Sequence, residues 1–127
     1  MTPMAPLTPD VVIVDGPQAV RRARDHVQDV CRASQLGHLC DLAALLASEL
    51  VTNALVHGRG SATVVVTPIG GHLRVVIADE SRSPPRVKSS DELELSEGGR
   101  GMLLVDALAR AWGVDVADDG KVVWFEV

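Results

Sequence analysis

From Leu39 onward the chain sets apolar residues at helical spacing and then breaks the pattern without losing the spacing. The seam runs Leu39, Leu42, Leu46, Glu49, Asn53, Val56. At roughly 100° per residue these positions share one helix face. A stretch from about His38 to His57 with this period, closed by Gly58, has to be a helix laid against an apolar surface. Its second half nevertheless turns a carboxylate and an amide toward that surface. An inward carboxylate is costly unless it is paired, hydrated or bound to a ligand. Two explanations fit. The helix lines a polar ligand site, or Glu49 and Asn53 form a buried polar pair that bonds the neighbouring backbone.

The remaining elements follow from period and punctuation. Residues 1–9 are expected to form a disordered arm. Asp10 to Val14 reads as a strand, ended by Asp15-Gly16-Pro17. A first helix follows, with Val20, Ala23, Val27 and Val30 inward and Gly37 as its stop. Ser61 to Thr67 alternates, and Gly70-Gly71 makes a hairpin turn. Leu73, Val75 and Ile77 then share one face of the returning strand, and the same parity reaches Asp79. The pattern disappears over about 80–99, a length that marks a functional or disordered loop. Gly98-Gly99-Arg100-Gly101 opens a third helix, Met102 to Ala111, with an outward Asp106–Arg110 pair. Strands over about Trp112 to Ala117 and Lys121 to Val127 close the order. Strand runs with segregated helices predict an α+β two-layer sandwich over residues 10–127, its sheet mixed but mostly antiparallel, with helices on one face.

Composition removes several function classes. The 127 residues suffice for one domain with a core. A net charge of −5 and an aromatic content of 2% without Tyr argue against a nucleic-acid surface or an anionic membrane as partner. No apolar run long enough to span a bilayer is read from the sequence, and the N-terminus lacks a signal-peptide pattern. Cys31 and Cys40 form no CxxC pair and read as small core residues of a reduced, cytoplasmic protein. A metal site from Cys31, His38 and Cys40 has no repeated ligand spacing behind it.

Three features carry chemistry. Glu49 and Asn53 lie one turn apart. The amide oxygen of Asn53 can ligate Mg²⁺, and the carboxylate of Glu49 can orient or deprotonate a hydroxyl. Asp79, at a strand end, can accept from an exocyclic amine such as adenine's, or simply turn the chain into the loop. The glycines before the third helix allow close backbone approach, and the helix start offers N–H groups to an anion beside Arg100. The alternative is a loop end with glycines for sharp turns.

Taken in order, these features resemble the GHKL (Bergerat-fold) ATPase family, above all its small stand-alone anti-sigma-factor serine/threonine kinases. Glu49-Leu-Val-Thr-Asn53-Ala-Leu-Val-His57-Gly58 is similar to the family's N box. Asp79-Glu-Ser81 occupies the place of the first glycine box, and Gly99-Arg-Gly101-Met-Leu-Leu-Val-Asp106 resembles the second. The closing strand from Lys121 resembles that of stand-alone members. The resemblance implies ATP and Mg²⁺ as cofactors. It implies Glu49 as general base, Asn53 as Mg²⁺ ligand, Ala54 near the nucleotide and Asp79 as reader of the adenine amine. Residues 80–99 would be the ATP lid, with Gly99, Arg100, Gly101 and Met102 at the phosphates. The implied partners are a sigma factor, which the protein sequesters, and a small STAS-type antagonist, which it phosphorylates. Family members are often homodimers. Ser81 and Ser83 stand where the first box usually has glycines. They favour the alternative, a non-catalytic protein-binding module of the same fold that binds ATP weakly or not at all.

Overall fold

The computed structural model describes residues 10–57, 60–79, 101–117 and 120–127. The expected N-terminal arm, the lid, Gly99 and Arg100 lie outside these residues. The described elements run β1 (Asp10–Asp15), α1 (Ala19–Ala33), a 3-10 turn (Gly37–Leu39), α2 (Cys40–His57), β2 (Ser61–Ile69), β3 (His72–Asp79), α3 (Gly101–Leu108), β4 (Ala111–Ala117) and β5 (Gly120–Glu126). The five strands form one sheet in the order β1-β2-β3-β5-β4, and all four pairings are antiparallel.

Strand alternation decides where the core sits. Val14, Ala62, Val64, Val66, Leu73, Val75, Ile77, Val123 and Phe125 are buried on the helix-covered face and belong to one cluster. Their neighbours along each strand point to the other face, and there the Arg74 guanidinium lies 4.5 Å from the centre of the Trp124 ring. Gly70 and Gly71 link β2 to β3 with φ of 54° and 85°, the positive angles that a two-residue hairpin turn requires.

α1 buries Ala19, Ala23, Val27, Val30 and Cys31 and exposes its arginines and aspartates. It stops before Gly37. Gln35 takes the left-handed conformation at φ 60°, its N–H bonds Arg32 O, and the Leu36 N–H bonds Cys31 O. This is a Schellman closure with glutamine in the glycine position and Leu36 as its buried apolar contact. Gly37 instead begins the 3-10 turn that leads into α2.

α2 corrects the seam read from the sequence. Its deep face is Cys40, Ala43, Ala47, Leu50, Val51 and Ala54, joined by Leu46, while Leu39, Leu42, Glu49 and Asn53 are half-buried at the margin and Val56 is exposed. The helix packs against α1, the strands β2 and β3, and α3. Contact on several sides blurs the polar-apolar contrast on which the seam relied. It also makes Gly37–Val56 long and apolar enough, by length and composition, to cross a membrane, contrary to the reading above. In this fold the stretch forms a core helix beneath its neighbours.

α3 ends earlier than its period predicted. The Arg110 N–H bonds Glu126 O and draws the chain into β4. Asp106 accepts a hydrogen bond from the Trp112 indole at 3.0 Å rather than pairing with Arg110.

Candidate functional site

The start of α3 is seated on the Glu49–Asn53 turn of α2. A Cβ built on Gly101 would lie 2.9 Å from Asn53 Nδ2, 3.1 Å from Glu49 Cβ and 3.4 Å from the Glu49 carbonyl oxygen. Only a residue without a side chain brings the two helices this close. Gly101 is buried, and Glu49 and Asn53 beside it are half-buried. The first N–H groups of a helix have no partners within it, so this arrangement sets a helix start beside Glu49 and the Asn53 amide. The amide nitrogen of Asn53 is what a Cβ on Gly101 would meet first. Its oxygen, the atom a hard cation takes, is on the other branch of the side chain.

Ala54 and Met102 are each 2% exposed and belong to the core. Their side chains brace α2 and α3, so any contact of Met102 with an anion falls to its backbone N–H. The His57 side chain lies outside the description.

Asp79 forms the second part of the site. Parity puts it on the inner face of β3 after Leu73, Val75 and Ile77, as the sequence predicted. Its partner was not foreseen. β3 pairs with β5 so that Asp79 stands opposite Lys121. The Lys121 ammonium lies 3.8 Å from Asp79 Oδ2, with side-chain exposures of 3% and 2%. Lys121 follows Phe125 and Val123 back along β5 with the same two-residue step that led to Asp79. Its signal was therefore in the sequence, although the pairing of β3 with β5 was not.

The two cysteines are buried free thiols, as expected. Cys31 Sγ donates to Leu36 O at 3.0 Å, and Cys40 Sγ lies 3.9 Å from the same oxygen. Burial, reinforced by the neighbouring Cys40, pushes the Cys31 thiol up to about 12. Among the described residues no group of His, Cys, Asp and Glu side chains is placed to hold a metal ion, so Cys31, His38 and Cys40 do not assemble one.

The donor set suits a metal-bound nucleotide. The cradle between Gly101 and Asn53 would be filled by a single methyl group, and a buried carboxylate closes the end of β3. A profile of the histidine kinase-like ATPase domain matches residues 13–127, nearly the whole described fold. An uncharacterized protein of Streptomyces coelicolor is 35% identical over 79 residues, which span 60% of this chain and 75% of that relative. With its α+β sandwich and its helix start seated on a Glu-x-x-x-Asn turn, the chain belongs to the family of histidine kinase-like ATPase domains, which bind ATP.

Proposed function

We propose that this ATP-binding domain is a regulator with protein serine/threonine kinase chemistry. It would phosphorylate a small STAS-type antagonist and sequester a sigma factor in the cytoplasm. The observation that supports this reading best is the seating of Gly101 on Glu49 and Asn53, which joins a candidate base, a candidate metal ligand and a helix start.

In this reading the adenine amine donates to Asp79, and the phosphates meet the N–H groups at the start of α3 beside Gly99, Arg100 and Gly101. Bound Mg²⁺, held through Asn53, would neutralise phosphate charge. Glu49 orients the attacking serine or threonine hydroxyl and takes its proton. The main contribution of the chain is positioning and electrostatics, because phosphoryl transfer asks for little covalent chemistry from the protein.

The test is incubation with labelled ATP, Mg²⁺ and candidate STAS-type proteins, reading label on the protein. Label on a serine or threonine of a partner supports the kinase. The second reading, a non-catalytic binding module, is favoured by Ser81 and Ser83 in place of glycines. Calorimetry separates the two. No heat with millimolar Mg-ATP and folded protein removes the kinase.

A further inference from the structure

The described helices all pack on the inner face of the sheet. On the outer face, Val11, Val65, Val76 and Trp124 stand in register across β1, β2, β3 and β5, and the row ends at Gly113 of β4. Val11 is 57% exposed and Ile13, next to it on the same face, 63%. Val65, Val76 and Trp124 are half-buried. A Cβ on Gly113 would lie 2.5 Å from Trp124 Nε1, so the indole leans over β4 and extends the row. A contiguous apolar row, unlike single scattered side chains, marks an interaction surface.

The chain supplies an occupant that begins beside this row. β2 runs on to Ile69, but β1 pairs with it only from Asp10, opposite Val66. Pro9 and Pro68 lack the N–H groups that a longer ladder would need. The residues before Asp10, outside the described ones, are a tripeptide repeat: Met1-Thr-Pro3, Met4-Ala-Pro6, Leu7-Thr-Pro9. A polyproline II helix has three residues per turn, so this period sets Met1, Met4 and Leu7 along one edge. Its rise of about 3.1 Å per residue spaces them about 9.3 Å apart. Two steps between neighbouring strands cover nearly the same distance, about 9.6 Å. We propose that residues 1–9 dock across the outer face as a polyproline II segment, with Leu7 over β2 at Val65, Met4 over β5 at Trp124 and Met1 past Gly113. Proline-rich segments suit aromatic-lined surfaces because their backbone is already stiff and loses little entropy on docking. The Arg74 guanidinium lies over the Trp124 ring, and the Met4 sulfur takes the ring edge, its usual approach. The competing occupant is a second copy of the chain. The arm has the advantage of its tether at Asp10, which holds it at an effective concentration on the order of millimolar.

The experiment is NMR on the full chain with labelled methionine methyl groups. The chain has three methionines and two tryptophans, so contacts between the two kinds are few enough to assign. Met102, buried in the core, is the internal reference. A nuclear Overhauser contact is expected between the Met4 methyl and the Trp124 ring, and Met4→Leu should remove the methionine signal that carries it. Leu7→Thr combined with Thr8→Leu keeps the composition and breaks the three-residue period. It should lose the Met4–Trp124 contact and shift the backbone signals of Val65 and Val76. These substitutions lie outside the described elements, so loss of the fold does not obscure the result. A sample mixing labelled and unlabelled copies separates contacts within one chain from contacts between two. A Met4–Trp124 contact within single chains supports the proposal. A contact found only between copies overturns it and gives the face to a second copy. Absence of the contact in the parent protein overturns it as well, and a contact that survives the Leu7–Thr8 exchange unchanged overturns the register.

Discussion

Gly101 and Asn53 are in contact across two helices, and the contact exists only because Gly101 has no side chain: a Cβ there would come 2.9 Å from Asn53 Nδ2. Gly101→Ala should therefore act twice. The Asn53 amide can swing aside, but Glu49 Cβ at 3.1 Å and its carbonyl oxygen cannot, so α3 must shift. Overpacking of this kind costs about 1–3 kcal/mol. Thermal melting should show a loss of several degrees, and calorimetry a weakened affinity for Mg-ATP. Gly37→Ala is the control, because nothing lies within 4 Å of its added Cβ. It should leave nucleotide affinity unchanged.

Glu49 and Asn53 should separate by function. Glu49→Ala is expected to abolish phosphotransfer while leaving ATP binding near its original level. Asn53→Ala should weaken binding of Mg-ATP more than of metal-free ATP. Label transfer and calorimetry on the same preparations check both. A Glu49→Ala protein that phosphorylates its partner at the original rate contradicts the base assignment.

Gln35 offers a gain in stability. A glutamine at φ 60° carries strain that glycine lacks, and the position is exposed. Gln35→Gly should raise stability by about 0.5–1 kcal/mol, the usual effect of putting glycine at a left-handed helix stop. Chemical denaturation would register it as a higher midpoint with unchanged slope.

The thiols should be silent in the folded protein. Cys31 is buried and pushed up to about 12 from an ordinary 9.0, so the native chain at pH 8 should resist a thiol reagent that labels both cysteines after unfolding. The pH effect has a definite sign. The folded state holds this proton more tightly than the unfolded state. The stabilisation is complete below pH 9.0 and is lost as the pH rises toward 12. Denaturation midpoints should therefore fall across that interval, and in Cys31→Ala the fall over that interval should be smaller.

Much of this was legible in the chain. Alternation carried the strands, Gly70-Gly71 carried the hairpin, and parity alone placed Asp79 on the inner face. What failed did so for physical reasons. The Leu39–Val56 seam pointed at the wrong stripe because α2 is covered on several sides, and an alanine-rich face looks little different from a leucine-rich one. Glu49 and Asn53 keep their place one turn apart, but at the helix margin against Gly101. Gly37 looked like a helix stop because no sequence rule expects glutamine in the left-handed position. Lys121 was missed because its meaning depends on β5 lying beside β3, a neighbour relation between strands far apart in the chain.

That neighbour relation also governs when the site can come into being. β4 and β5 form a local hairpin, and β1, β2 and β3 form a meander with two intervening helices, but β5 enters the sheet between β3 and β4. Asp79 and Lys121 meet only when the two parts dock, a non-local pairing like that of β1 with β2 and so of a slow kind to form. A chain that has built its hairpins and helices but not joined them carries every side chain of the site and no floor beneath the base. Nucleotide binding thus becomes a reporter of the final folding step: in a stopped-flow refolding experiment, affinity for ATP should appear with the slowest phase, well after helix formation is complete.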